Sequence, residues 1–120
     1  MKKHIKVPEV MTAKQVANLL HRITRLKWTK SVLFRQDSWD KRYCALGQIA
    51  KMCGVKDEVL RSTGVSDHVE YSACAPVYEA NDLSNSKEQA IQRLCDQGER
   101  PIPVGRFIAK LLARQKARGM

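Results

Sequence analysis

The chain has 120 residues, 43% of them hydrophobic and 28% charged, with a formal net charge of +10. That is enough for one self-sufficient core and too little for two, with the make-up of a globular protein rather than a disordered or fibrous one. No apolar run approaches the roughly 20 residues that cross a bilayer, and no apolar stretch follows the basic start Met1–Lys6, so the expectation is a cytoplasmic protein without a membrane partner.

In chain order, residues 1–11 read as a basic, loosely ordered arm in which Pro8 breaks any early helix. Thr12 is an N-cap for an amphipathic helix running to about Lys27. Ala13, Val16, Ala17, Leu20 and Ile23 form its apolar stripe, while Lys14, Asn18, His21, Arg22 and Arg25 share the opposite side. Trp28–Arg35 loses the helical period and gains β-formers, which predicts one short extended segment near 28–35. Gln36-Asp37-Ser38 is turn chemistry, after which Trp39 and Tyr43 are expected to carry aromatic mass towards the middle of the fold.

The centre of the chain is Tyr43–Gly54. Apolar residues at 45, 46, 49, 50, 52 and 53 cover most of a helix's circumference, so this helix is expected to be buried on nearly every side. Asp40 stands where an N-cap belongs and Gly54 where a left-handed C-cap belongs. Gly47 costs about 1 kcal/mol relative to alanine in a helix, a cost that a closely packed neighbouring backbone would explain.

Beyond it, Val55–Gly64 reads as a short helix with Asp57 and Glu58 in its first turn, and Ser66 can cap a further stretch over 66–75. Ala75–Asp82 is expected to turn out of the helix, because the residue before Pro76 avoids the α region. Asn81–Ser86 is rich in capping residues, and Ser86-x-x-Gln89 fits a capping box for a helix that buries Ala90, Ile91, Leu94 and Cys95 and stops at Gly98. Glu99–Pro103 is an extended connector. A last helix from about Pro103 or Val104 buries Val104, Phe107, Ile108, Leu111 and Leu112. The sum is a mainly α protein: a single helical domain of four to five helices over residues 12–114, built round 43–53, with residues 115–120 as a basic tail.

Four cysteines, Cys44, Cys53, Cys74 and Cys95, lack any C-x2-C or C-x4-C spacing, so they read as buried free thiols, with no metal and no cofactor expected. The positive charge lies at the ends. Residues 1–35 balance at +8, residues 36–100 at −3 and residues 101–120 at +5. Such segregation speaks of partners rather than of fold.

Trp28, Cys44-Ala45-Leu46-Gly47 with Ala50, and Asn81-Asp82 with the helix that follows together resemble an uncharacterised family of small bacterial and phage proteins with a W…CALGAL…A…WND pattern, over roughly residues 15–95. Gln48-Ile49 stand where that family favours Ala-Leu, and Ala80 where it favours Trp. The resemblance implies a helical domain and a phage or mobile-element origin, and brings no activity with it.

The function expected from these readings is that of a small non-enzymatic accessory protein. It would bind a nucleic acid or nucleoprotein, or an acidic surface of a host enzyme as an inhibitor, through Lys14, Arg22, Arg25, Lys27 and Lys30 at one end and Arg106, Lys110, Arg114, Lys116 and Arg118 at the other. The alternative is a thiol hydrolase or transferase with Cys44 as nucleophile, His68 as base and Asn81 or Asp82 orienting it. Gly-rich phosphate loops, H-E-x-x-H and suitably paired carboxylates are absent from the sequence.

Overall fold

The computed structural model describes residues 4–63 and 69–120, Val69 and Glu70 by their backbone. Within them the elements run β1 (Met11–Thr12), α1 (Ala13–Arg22), β2 (Lys27–Trp28), β3 (Phe34–Asp37), β4 (Asp40–Tyr43), α2 (Ala45–Met52), α3 (Asp57–Arg61), α4 (Val69–Ala73), α5 (Ala75–Asp82), α6 (Lys87–Gln97), β5 (Pro101–Ile102) and α7 (Val104–Ala117). The protein is mainly α, as its apolar periodicities predict, but it also holds two small sheets. Gly64, Ser66 and His68 lie outside the described residues.

The α1 stripe is buried as expected, and Thr12 caps the helix in a full capping box with Gln15. Two further amides at its start, Ala13 N–H and Lys14 N–H, donate to the Arg100 and Gly98 carbonyls. The helix stops at Arg22, about a turn short of Lys27, because the chain turns into β2. That strand pairs in parallel with β4, which forms an antiparallel hairpin with β3. The single extended segment expected near 28–35 is thus replaced by a three-stranded sheet ordered β2-β4-β3, and residues 29–33 are the loop between two of its strands.

The hairpin turn is Ser38-Trp39, with Ser38 in the left-handed region at φ 55°. Trp39 is 97% exposed and contributes nothing to the core, contrary to its expected role. Asp40 also differs from expectation. It belongs to β4, and the N-cap of α2 is Cys44, whose sulfur accepts the Gly47 N–H at 3.5 Å.

Helix α2 is the centre of the core, with Ala45 to Ala50 all buried. A Cβ on Gly47 would stand 3.0 Å from the Leu33 carbonyl carbon and closer still to its oxygen. The close backbone is therefore the β2–β3 loop. The helix ends as expected, with Gly54 at φ 100°, Gly54 N–H on the Lys51 carbonyl and Val55 N–H on the Ala50 carbonyl, the paired bonds of a Schellman cap.

Ala75–Asp82 is a helix and not the exit turn expected from Pro76. The proline occupies the first turn of α5, where a missing N–H leaves no helical bond unmade. Ser86 caps α6 by accepting Gln89 N–H, while the Gln89 side chain accepts Asn85 N–H rather than closing the box on Ser86. The residues of α7 expected to face inwards do so, Leu112 only in part. β1 and β5 pair antiparallel, Met11 opposite Ile102, and fasten the start of α1 to the start of α7. The arm is not loose from residue 4 onwards. Ile5 N–H donates to the Met52 carbonyl at 2.9 Å, and a Cβ on Gly105 would stand 2.6 Å from the Pro8 carbonyl carbon.

Candidate nucleic-acid interface

Two polar regions stand out, one closed and one open. The closed one is centred on Asn81, fully buried at the end of α5. Its Oδ1 accepts both Trp28 Nε1–H at 2.8 Å and Ala45 N–H at 2.9 Å, and its Nδ2 donates to the Thr29 carbonyl at 3.1 Å. Next to it, Asp82 accepts Ser31 N–H at 2.7 Å, which holds Ser31 at φ 78°. Trp28, the start of α2 and Asn81-Asp82, far apart in sequence, are here one hydrogen-bonded knot.

This knot holds the two residues offered as orienters of a thiol mechanism, whose base His68 lies outside the described residues. Asn81 and Asp82 are engaged with the β2–β3 loop and the start of α2. Burial pushes the Cys44 thiol up to about 11, so it is protonated at neutral pH and gives no thiolate there. Cys53 is raised to about 11 for the same reason. Cys44, Cys53 and Cys74 are buried and Cys95 is half-buried. Among the described residues no group of three or more His, Cys, Asp or Glu side chains could hold a metal ion, and no helix is long and apolar enough to cross a membrane.

The open region surrounds the loop from α1 to β2. Ile23–Leu26 forms a ridge between three adjoining hollows. The first, about 320 Å³, has His4, Arg25, Lys51 and Lys56 at its edge. The second, about 440 Å³, is floored by Ile5, Val7, Leu19 and Met52 and edged by Lys6 and Arg22. The third, about 750 Å³, has His21, Lys27, Arg42 and Lys87 along it. Among the described residues, Glu88 is the one carboxylate that lines any of the three.

The ridge owes its position to buried contacts beneath it. Ile23 is the last buried residue of the α1 stripe, and the Leu26 carbonyl accepts from Gln48 Nε2, a side chain wholly inside the core. Lys87 Nζ donates to the Ile23 carbonyl, and burial lowers its ammonium below the usual lysine range. Lys27 and Arg42 stand opposite each other on β2 and β4, with Arg35 opposite Arg42 on β3, so three cations form a row across the sheet. Asp40 lies between the first two, 2.6 Å from each, and Asp37 pairs with Arg35. The ion pairs with Lys27 and Arg42 hold the Asp40 carboxyl below its ordinary range.

Of the residues expected to bind, Arg22, Arg25 and Lys27 meet at these hollows. Lys14 and Lys30 are exposed but line none of the three, and Lys30 reaches the Ser84 carbonyl instead. Arg106, Lys110, Arg114, Lys116 and Arg118 follow α7 and its end and line none of the three hollows, although Gln115 of the same helix bonds to Gly54 and Lys56 at the edge of the first. Arg106 lies 3.8 Å from Glu9, and Arg118 donates to Ser62 Oγ. Sequence reasoning missed five lining cations, Lys6 of the arm and Arg42, Lys51, Lys56 and Lys87 of the acidic middle. No local signal picks out those in the middle, because residues 36–100 balance at −3, and Asp40 and Asp57 are seen to pair with Lys27, Arg42, Lys41 and Lys51 only in the fold.

No protein-family model, curated protein or solved structure matches this chain.

Proposed function

We propose that the protein acts by binding nucleic acid, and that the surface it uses is the basic ridge between α1 and β2. One observation carries this reading: among the described residues, eight Lys or Arg side chains and one carboxylate line three hollows that share residues with one another, and the balance stays positive with Asp40 and Asp57 paired beside them. Cations gathered at a concave surface concentrate positive potential there, and each phosphate they neutralise releases condensed counterions. The α7 cations, carried by another element, serve in this reading as an auxiliary contact.

The test is a titration of the full chain with a blunt DNA duplex and with a single strand at several salt concentrations. Three to five phosphate contacts give a slope of log affinity against log salt of about −3 to −5 on duplex. Arg22→Glu with Arg25→Glu is expected to lower affinity at least tenfold and flatten the slope, with a Tm unchanged within a degree or two, since both side chains are exposed. Glu79→Lys, an exposed reversal on α5, is expected to leave binding alone. A host protein that stays with the chain after nuclease treatment, with no affinity for either nucleic acid, would assign the ridge to an acidic protein surface instead.

A further inference from the structure

The largest hollow is more than a charged surface, and its chemistry is narrower than that of the ridge as a whole. Its floor is apolar, made by Leu20, Ile23 and Leu26 from the α1 side and Ile91 from α6. Trp28 forms a wall, its ring fixed in orientation because Nε1 is tied to buried Asn81. Lys27, Arg42 and Lys87 stand along the same groove, and α6 begins at its edge with Ser86. Asp40 and Glu88 offset part of this charge, and the balance stays positive. Phosphate alone leaves the apolar floor unused, and a neutral aromatic leaves the cations unused. A nucleotide has both parts, a flat base for an aromatic wall and an anion for the cations, and a groove of about 750 Å³ is in the size range of small-ligand sites. In a duplex the base faces are stacked inside and out of reach of such a floor, whereas an unpaired nucleotide can be splayed onto it.

We infer that the groove between the end of α1, β2 and the start of α6 is a seat for one unpaired nucleotide, the base against Trp28 and the apolar floor and the phosphate among Lys27, Arg42 and Lys87. As a seat within a strand, this rests on the nucleic-acid reading of the ridge and adds a preference for single strands. The same chemistry is offered by a free nucleotide, and the two sources are separable.

The chain has two tryptophans, and Trp39, at the hairpin tip, does not line the groove. Trp39→Phe therefore leaves Trp28 as the only indole reporter. In that background adenosine 5′-monophosphate is expected to quench Trp28 saturably. Adenosine and inorganic phosphate are each expected to bind at least tenfold more weakly, and a ten-nucleotide single strand at least tenfold more tightly than a blunt duplex of equal length. Thr24, exposed on the edge of the groove, gives a reciprocal pair that spares the core. Thr24→Glu is expected to weaken nucleotide binding several-fold and Thr24→Arg to strengthen it. Absence of quenching by both nucleotide and strand, or a quench that neither Thr24 variant moves, overturns the assignment. Equal affinity for strand and duplex, still lowered by Arg22→Glu with Arg25→Glu, overturns it while the ridge reading stands. Quenching by the nucleotide with no binding of any strand upholds the groove, assigns it a free nucleotide, and removes the ridge reading.

Discussion

The knot around Asn81 and the ridge around Ile23–Leu26 are opposite solutions for polar groups. In the knot, a buried amide satisfies an indole, the start of α2 and a loop carbonyl, and the surroundings are closed. At the ridge, cations and apolar side chains share open hollows with one lining carboxylate among the described residues. The first arrangement fixes the second, because Trp28 is held by Asn81 and also forms a wall of the largest hollow. Changes in the knot are therefore expected to cost folding, and changes at the ridge to cost binding.

The sharpest way to break that contrast is Asn81→Leu. It orphans the Trp28 Nε1–H, the Ala45 N–H and the Thr29 carbonyl, and a buried unpaired group costs about 1–3 kcal/mol, so the variant is expected to lose about 4 kcal/mol or more. Denaturant unfolding measures it, and a loss below about 1 kcal/mol would show that the knot opens to water. Gly47→Ala follows. Its Cβ has no room beside the Leu33 carbonyl, and overpacking of this kind costs about 3 kcal/mol, the upper end of the usual range. A Tm within two degrees of the parent would mean that the loop yields freely.

These two residues also show what was legible in the sequence. Gly47 was, because a glycine inside an otherwise apolar helix requires a packing reason. So were the α1 stripe, the Ser86 cap and the α7 apolar face, whose periods extend over two turns or more. The sheet was not, because its strands are two to four residues long and two of them, Phe34–Asp37 and Asp40–Tyr43, are mostly polar, leaving no alternation to detect. Nor was the knot, since Asn81 among Asp82, Ser84 and Ser86 looks like any capping cluster until the fold brings Trp28 to it. At the ridge, the outer residues Arg22, Arg25 and Lys27 were legible from helical phase and local charge. Arg42, Lys51, Lys56 and Lys87 were hidden, because they come from separate stretches of a segment with a negative balance and meet around the ridge only in the fold.

Those ion pairs give a pH signature of moderate size. Burial would raise the Asp57 carboxyl, but the hydrogen bonds from Lys51, Tyr43 and Lys41 outweigh it and hold the group below its ordinary range. A carboxylate lowered in the folded state contributes stability that is fully present above the unfolded value of about 3.9 and is lost as pH falls through the folded one. The Tm is therefore expected to be level through neutral pH and to fall below about pH 4. Asp57→Asn is expected to have a lower Tm at neutral pH and a shallower fall in acid. Parallel acid profiles for the two proteins would remove Asp57 from the account.

The smallest expected effect on stability falls where knot-like packing meets the ridge, at the arm. Gly105→Ala sets a Cβ against the Pro8 backbone at least as tightly as Gly47→Ala does against Leu33, so severe crowding is tested in two settings. Leu33 is buried and its loop is fixed by Asn81 and Asp82, whereas Pro8 belongs to an exposed terminal segment that can move aside. The expected cost is accordingly about 1 kcal/mol, mainly the partial exposure of Ile5 and Val7 as the arm shifts. The same shift moves Lys6 from the edge of the second hollow and His4 from the first, so affinity for a duplex is expected to fall two- to threefold while the Asn81 knot is untouched. Limited proteolysis should cut the arm faster in the variant and leave the rest of the chain resistant. A loss equal to that of Gly47→Ala, with global unfolding at the same denaturant concentration, would mean that the arm is as much a part of the core as α2, and that the open and closed regions are one cooperative unit.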